Sequence, residues 1–563
     1  MIRQPEGSVI TGLLGWVACL TTLIVTPSLS YDPINPPKLA VVCAGGFMAL
    51  FLLGSQLTLV RDRRIFLPML ILVLFDLDLV LVLIFTGHNF NQEFFGTSGR
   101  STGFLAYVAL SGLFLVSMIS STKLRLWRIS YFLIATGLIS TIYGALQAWG
   151  GDPIGWVNSY SPVIGFLGNP DFQSSFLALS AIMSFALLMG RDIGTKFKLA
   201  NVPYLLLTLY VIRETNAQQG YFIFFGGLAF VSLILILKSK FRILILPMLI
   251  VGSSTLALAI MGALNSGPLA QYLHKASVTY RGDYWHAGWN MTITHPLFGV
   301  GLDSYGDWYR RSRTTAATLR RGPDIISNSA HNVLLDFSSN GGFPLVTLYL
   351  ILMAFVIRAA FIVIRRSREF DSVFTGLVAV WIAYQAQSII SINQLGLAIW
   401  GWIISGLIIG YEINGRGNKE VIGPKIHTKN VKAKLVNQNQ SILPRSLISL
   451  SAGLLIGLLF GLPPLIASTK FKSSLESSDK TLIENAAYVF PQDELRMVQV
   501  GYIFYKEKLD AEAFRVLSDA VKRYPDSYDA WKGLSSLRNI PIAQLAQAKA
   551  QMKRLDPHNL ELK

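Results

Sequence analysis

The chain has 563 residues, of which 52% are hydrophobic and only 14% are charged, and its mean hydropathy is +0.47. A soluble globular protein carries about 25% charged residues, so this composition excludes a soluble protein and predicts one embedded in a membrane. The formal net charge of +17 would suit nucleic-acid binding only if the basic residues lay on one soluble face. They are distributed over short loops instead, so no nucleic-acid partner is expected.

Thirteen apolar segments approach the length of about 20 residues that a helix needs to cross the hydrocarbon core. They lie at 8–26, 39–60, 65–86, 103–121, 129–149, 172–190, 199–212, 219–237, 243–263, 343–364, 372–391, 395–411 and 446–468. The first thirty residues resemble a signal peptide, but twelve further spans favour an uncleaved signal anchor. We therefore predict an all-α, polytopic membrane protein with about 13 transmembrane helices.

The loops between these segments alternate in charge. One set carries three Lys or Arg in each of "RDRR" (61–64), "KLRLWR" (123–128), "RDIGTKFK" (191–198), "KSKFR" (238–242) and "RRSRE" (365–369), and seven in the linker 412–445. The other short loops hold only Lys38, Arg100 and Arg213. Because positive residues stay cytoplasmic, the N-terminus is predicted inside and the second set of loops outside.

Two regions are predicted to lie outside the membrane. Residues 264–341 form a long external loop with short helices, which is too long for a mere connector. Residues 469–563 have a helical pattern, and Pro525 and Pro557 approximate the tetratricopeptide period of about 34 residues. Only about two repeats fit, so this tail is expected to pack on the membrane domain or on a protein partner. The predicted domains are the membrane domain 1–411, the basic cytoplasmic linker 412–445, the last span 446–468 and the extracytoplasmic TPR-like tail 469–563.

Polar and aromatic side chains are concentrated in "YRGDYWHAGWNMTITHPLFGVGLDSYGDWY" (280–309). Tyr and Trp at this depth commonly form an interfacial belt, although carbohydrate also stacks on such rings. His286 and His295 are nine residues apart, which is not a zinc-site spacing, and no metal is expected. Asp76 and Asp78 lie inside the third span, where carboxylates are often functional. A solute transporter therefore stays open as an alternative.

Four motifs in order resemble the core of O-antigen ligases and the related lipid-linked glycan polymerases. They are "FFGTSGRSTGFLAYVAL" (94–110), "GFLGNPDFQSSFLAL" (165–179), "RGDYWHAGWNMTITHPLFGVGLDSY" and "SAHNVLLDFSSNGGFPL". The resemblance covers about residues 85–411. Members often carry a Ser-Arg pair at the external start of the span after the Asn-Pro motif. This chain has Ala217 and Gln218 near that place, and Arg213 is the candidate to substitute for the missing arginine.

The resemblance implies a glycosyltransferase of the bacterial cytoplasmic (inner) membrane. Its donor would be a glycan on an undecaprenyl-diphosphate carrier, and its acceptor a hydroxyl group, most simply on lipid A-core, at the outer face. A polymerase of O-antigen or exopolysaccharide and a protein O-oligosaccharyltransferase share the same motifs and remain alternatives. No cofactor is expected.

Arg281 and His331 are the predicted catalytic residues. The planar guanidinium of Arg281 suits the oxygens of the leaving diphosphate, and His331 would take the proton of the attacking hydroxyl. Asn328 and Ser329 are expected to cap a helix with His331 in its first turn, where the helix dipole keeps the imidazole neutral. The reaction is expected to invert the anomeric centre and to need no metal.

Further side chains are predicted to bind substrate. They are Asn332, which would orient the histidine ring or a sugar hydroxyl, together with Arg100, Arg213, Trp285, Arg310, Arg311 and Arg313. Headgroups of membrane lipids are the alternative ligands for the last three. Because every motif with a chemical role precedes residue 411, the tail is expected to be dispensable for the chemistry.

Overall fold

The computed structural model describes residues 7–54, 63–87, 89–156, 158–191, 193–416 and 444–562. These residues form helices and no strands, which confirms the all-α fold class. The helices are α1 (Gly7–Leu23), α2 (Asn35–Gly54), α3 (Arg63–Phe85), α4 (Phe90–Phe95), α5 (Phe104–Ile119), α6 (Lys123–Ala148), α7 (Pro170–Leu188), α8 (Thr195–Glu214), α9 (Gln218–Leu237), α10 (Ile245–Ala263), α11 (Ala270–Leu273), α12 (Ala276–Thr294), α13 (Tyr305–Ser312), α14 (Thr315–Arg321), α15 (Val333–Arg366), α16 (Ser372–Ser388), α17 (Leu395–Arg416), α18 (Pro444–Gly461), α19 (Pro463–Ser477), α20 (Lys480–Ala487), α21 (Glu494–Lys506), α22 (Asp510–Arg523), α23 (Tyr528–Ser535) and α24 (Ile542–Leu555).

Each of the thirteen predicted segments falls on a helix. Among the described helices, eight are long and apolar enough to cross a membrane, or nine if the bent pair α18–α19 is one span. The other four, α1, α5, α8 and α16, are shorter or less apolar. The chain is therefore a multi-pass membrane protein, whereas the count of thirteen stays a prediction.

Two helix ends differ from the prediction. Helix α17 continues to Arg416, beyond the predicted start of the linker, and residues 417–443 of that linker lie outside the described part of the chain. The last predicted span ends early, at Gly461, and the chain bends by 44° into α19. Pro463 explains the bend, since its ring lacks an N–H and clashes with the preceding turn. The predicted start of the tail therefore falls inside α19.

Contacts join neighbouring segments within each of the two predicted sets. In one set, the Asn35 side-chain amide donates to the Gly99 carbonyl oxygen at 2.9 Å. In the other, the Asn414 amide donates to the Ser121 carbonyl oxygen at 2.8 Å. We call the end that holds the first set, together with residues 264–332, the predicted external face. Its assignment to the outside rests on the loop charges.

Small residues allow close packing of the membrane helices. A side chain at Gly410 of the buried helix α17 would collide with the Met118 carbonyl oxygen of α5. Gly453 and Gly457 of α18 likewise leave room only for the backbone of α2, with the Cys43 oxygen 2.5 Å from a side chain built at Gly457. Without a hydrophobic force between helices in lipid, such close approach is a main source of their association.

Lys38 is fully buried and joins α2 to the end of α1. Its ammonium group donates to the carbonyl oxygens of Thr21 at 3.0 Å, Thr22 at 2.8 Å and Ile24 at 3.0 Å. The last carbonyls of a helix have no partner inside the helix, and a lysine can satisfy them. Lys38 is thus a structural residue.

The tail is helical and packs on the membrane domain, as expected. It has its own core, to which Phe504, Leu517 and Trp531 contribute. Aromatic contacts join it to the predicted external face: the ring centroids of Tyr31 and Phe471 are 4.8 Å apart. The tail is therefore a docked domain, and its tetratricopeptide character stays a prediction.

Candidate functional site

Helix α12 places Arg281 on an exposed aromatic face. One side of the helix, with Tyr284 and Met291, is buried against α13 and the segment before α15. The other side exposes Trp285 by 36% and Trp289 by 49%. Residues four apart lie on the same face of a helix, so Arg281 stands one turn from Trp285. This face suits an interfacial position, and it leaves Trp285 accessible to a substrate.

Two glycine motifs, "GVG" (299–301) and "GG" (341–342), fix α12 against α15. The Val300 amide donates to the Ser339 carbonyl oxygen, and the Phe343 amide donates to the Pro296 oxygen, both at 2.8 Å. Gly342 has a φ of 72°, and a side chain there would lie 2.6 Å from the carbonyl oxygen of Leu297. Because Gly342 breaks α15, a short helix precedes the apolar span that was predicted from 343. The motifs that carry the family resemblance thus set α12 against the short helix that follows His331.

His331 lies before the helix and not in its first turn, so the predicted cap is wrong. Asn332 caps α15: its side-chain oxygen accepts from the Leu334 amide at 3.0 Å. Ser329 is not available as a cap because its hydroxyl donates to Asp336 at 2.8 Å and accepts from the His331 amide at 2.9 Å. Because its side-chain oxygen accepts hydrogen bonds from the first turn of the helix, Asn332 is a structural residue in this geometry.

The backbone and the ring of His331 are both constrained. Its φ of 52° lies in the left-handed region, which few residues other than glycine adopt. The imidazole stacks on the Tyr284 ring with centroids 5.4 Å apart. The pKa of His331 is lowered to about 4, chiefly by burial and also by the positive charges of the nearby Arg281, Arg100 and Arg321. The ring is therefore neutral near pH 7, as predicted, but mainly through burial.

Asp171 is the partner of Arg281. The Arg281 guanidinium lies 3.8 Å from the Asp171 carboxylate, and the two side chains are 19% and 43% exposed. Asn169 caps α7 and accepts a hydrogen bond from the Asp171 amide at 2.8 Å, which places the carboxylate in the first helical turn. A solvated pair at this distance is weak. Arg281 therefore keeps hydrogen-bond donors for an anion.

Arg321 is a second cation beside His331, and no sequence motif marks it as a site residue. It ends α14, its guanidinium carbon lies 4.3 Å from the centroid of the Tyr280 ring, and it donates to the Tyr284 hydroxyl. Arg321 looks like any loop arginine in the run "RRG" because its aromatic partners lie some forty residues earlier. In the described part of the chain Arg281 has one ion-pair partner, Asp171, and none is found for Arg321, so the site suits an anionic group such as a diphosphate.

Arg100 is near this site but is engaged elsewhere. It is buried, with Asp303 at 3.4 Å and Asp336 at 3.7 Å. Its guanidinium also donates to the Asn328 carbonyl oxygen at 2.5 Å. Two carboxylates neutralise the charge, so this geometry does not support the predicted substrate contact. Arg100 instead holds the backbone that leads to His331.

The predicted cluster Arg310, Arg311 and Arg313 faces the tail. Arg313 lies 2.7 Å from Asp556, Arg310 lies 3.4 Å from Asp529, and Arg311 lies 3.6 Å from Asp526. These carboxylates occupy the guanidinium groups that were predicted to bind substrate or lipid headgroups. The sequence could not show this, because Arg313 and Asp556 are 243 residues apart.

Three other candidates lie apart from the cationic site. Arg213 is exposed in the last turn of α8, and among the described residues no hydrogen bond or ion pair joins it to Arg281 or His331. His286 contacts Asn290 at 3.1 Å, and the His295 ring lies 4.6 Å from that of Trp308. The described residues contain no group of three His, Cys, Asp or Glu side chains that could hold a metal ion.

The fold and the site define a class: an all-helical, multi-pass membrane protein with a cationic site around a neutral histidine. Residues 203–350 match the family model described as O-antigen ligase. This match supports the O-antigen ligase superfamily, whose members are glycosyltransferase-like enzymes, and it confirms the resemblance for the two motifs that lie within residues 203–350. The matched range contains Arg281, Arg321 and His331 and does not reach the tail. A comparison with curated proteins gives no match.

Proposed function

We propose that this protein transfers a glycan from an undecaprenyl-diphosphate carrier to an acceptor hydroxyl at the outer face of the cytoplasmic membrane. The observation that carries the proposal is the buried His331 beside Arg281 and Arg321, for which the described residues supply one ion-pair partner, Asp171. A diphosphate supplies the missing negative charge. The proposal agrees with the family match, which contains all three residues.

The arginines and the histidine divide the chemistry between them. Arg281 and Arg321 bind the diphosphate and stabilise it as the leaving group. With their charge offset, the pKa of His331 rises from its value of about 4, and the ring becomes a better base. His331 takes the hydroxyl proton as the acceptor oxygen attacks the anomeric carbon. The bond from that carbon to the diphosphate oxygen breaks, and the displacement inverts the centre without a metal.

Lipid A-core is the proposed acceptor, and a deletion strain separates it from the alternatives. A ligase predicts undecorated lipid A-core with long carrier-bound glycan. A polymerase of O-antigen or exopolysaccharide predicts single repeat units on the core. A protein O-oligosaccharyltransferase predicts normal lipopolysaccharide and unglycosylated protein.

A solute transporter is the second candidate, because two carboxylates lie within α3. Asp76 accepts a hydrogen bond from Ser111 at 2.7 Å. Asp78 is 7% exposed, and one of its oxygens has no hydrogen-bond partner among the described residues. Proteoliposomes distinguish the two functions. The transferase predicts a new glycoside when carrier-linked glycan and acceptor are both supplied, and a transporter predicts solute uptake without one.

A further inference from the structure

Asp556 of the tail is buried at the centre of the contact with the membrane domain. Its carboxylate lies 2.7 Å from Arg313 and 3.6 Å from Arg310. The Arg313 and Asp556 side chains are 1% and 0% exposed. A buried ion pair of this kind is costly to break, because removal of one partner leaves the other charge without solvent or a counter-ion.

The same arginines hold a loop segment of the membrane domain. Arg313 donates to the carbonyl oxygens of Pro323 at 3.1 Å and Ile325 at 3.2 Å, and Arg310 donates to that of Pro323 at 2.5 Å. Lys532 of the tail lies 2.5 Å from the Asp324 carboxylate in the same segment. Residues 323–325 are therefore fixed by arginines that are themselves fixed by the tail.

This segment connects two residues of the candidate site, Arg321 and His331. Arg321 precedes Pro323 by two residues, and His331 follows Ile325 by six. Further along, the Asn328 carbonyl oxygen accepts from Arg100. The tail thus holds one end of the connection and Arg100 the other. A displacement of about 1 Å in reacting groups can cost about 10²-fold in rate.

We propose that Asp556 is a positioning residue, which acts through Arg313 and Arg310 to hold Arg321 and His331 in their working geometry. The inference rests on the proposed function and reverses the expectation that the tail is dispensable. In this proposal the tail acts on the site through the loop. It supplies the carboxylate that keeps two loop arginines, and hence the segment 321–331, in place.

The test is Asp556→Asn in the full chain, with Glu484→Gln as the matched control. Glu484 belongs to the tail and pairs at 2.5 Å with Arg515, but that arginine is 58% exposed, so the same loss of charge there is solvated. We expect Asp556→Asn to lower kcat about 10- to 100-fold and to speed amide hydrogen exchange in 321–331. Asp556→Glu should restore part of both, and Glu484→Gln should change neither.

Hydrogen exchange keeps this test independent of the proposed function. If the wild type transfers no glycan but Asp556→Asn speeds exchange in 321–331, the proposed function fails and the link between tail and loop stands. Unchanged exchange in a folded Asp556→Asn protein would overturn the inference, as would a fall in kcat equal to that of Glu484→Gln. If Asp556→Asn does not fold, Arg310→Lys provides the same test of hydrogen exchange and kcat, because lysine keeps the charge and loses the planar fork.

Discussion

Two groups of arginines in the same external loop differ in how their charge is matched. Arg310, Arg311 and Arg313 face three carboxylates of the tail, Asp526, Asp529 and Asp556. Arg281 and Arg321 lie beside His331, and among the described residues their one ion pair with a carboxylate is that of Arg281 with the partly exposed Asp171. A carboxylate of the tail lies within 3.6 Å of each arginine in the first group, whereas in the second group only Arg281 has an ion-pair partner in the described part of the chain, which leaves positive charge for a ligand. Matched charges therefore identify the structural group and the surplus identifies the site.

The largest effect is expected for His331, the proposed base beside the surplus positive charge of Arg281 and Arg321. His331→Ala should lower turnover about 10²–10⁴-fold, the usual contribution of positioned proton transfer, while donor binding changes little. The turnover of His331→Asn should fall equally, since this substitution also removes the base. The measurement is glycan transfer by purified protein, with carrier-linked donor binding measured in parallel.

The asparagine variant also controls for backbone strain. Asn tolerates the left-handed conformation that His331 adopts, so His331→Asn should keep the melting temperature of the wild type. His286→Ala removes an exposed histidine of the same loop and should leave turnover unchanged. Near-normal turnover in a folded His331→Asn protein would remove the histidine from the mechanism, and His286 and His295 would be the next candidates.

The pH dependence of kcat and kcat/KM should show whether a bound diphosphate offsets the positive charge of Arg281 and Arg321. In the free enzyme the pKa of His331 is lowered to about 4, so kcat/KM should be constant from pH 8 to pH 5 and fall as the ring is protonated below about pH 4. With saturating donor, the diphosphate offsets Arg281 and Arg321, and the acid limb of kcat should lie at higher pH. Coincident limbs would contradict a diphosphate bound beside His331.

A small effect is expected for Asp171, whose carboxylate pairs with Arg281. Asp171→Asn removes the competitor for Arg281, and a solvated pair of this kind contributes only about 0.2–1 kcal/mol. Donor binding should therefore become tighter by a factor of about 1.4 to 5, measured as the Kd of the carrier-linked glycan. Weaker binding would mean that Asp171 orients Arg281 for the donor and does not compete with it.

No effect is expected from chelation. If Arg281 and Arg321 neutralise the leaving group, transfer should survive EDTA at the rate of the untreated protein. Activity that EDTA abolishes and Mg²⁺ or Mn²⁺ restores would show that arginine alone does not stabilise the diphosphate. Asp32, Asp152 and Asp283 would then be the ligands to test.

The sequence predicts the positions of the helices better than it predicts the contacts between distant residues. Apolar runs and loop charges locate the helices and the two sets of loops, because burial in lipid acts on each segment separately. The cap at Asn332 was missed because Ser329 is taken up by Asp336, seven residues ahead in the folded helix. Ion pairs between distant residues, such as Arg313 with Asp556, leave no local pattern.

The same limit applies to the candidate site. Arg281 and His331 stood out because their motifs resemble those of a known family. Asp171 lies in the quoted stretch "GNPDF" and Arg321 in an ordinary basic run, and only the fold shows that both lie beside them. Which arginines are neutralised depends on carboxylates 100 to 240 residues away, so sequence could not separate the structural arginines from those of the site.

The central claim is that the surplus cation Arg281 holds the donor diphosphate, and Arg281→Lys tests it most directly. Lysine keeps the charge but loses the planar fork, so the Kd of the carrier-linked glycan should rise about tenfold or more, with turnover reduced as well. Arg311→Lys is the matched control from the group that faces the tail, and it should bind the donor like the wild type. Equal donor affinity in Arg281→Lys and wild type, or weaker binding in Arg311→Lys than in Arg281→Lys, would contradict the account.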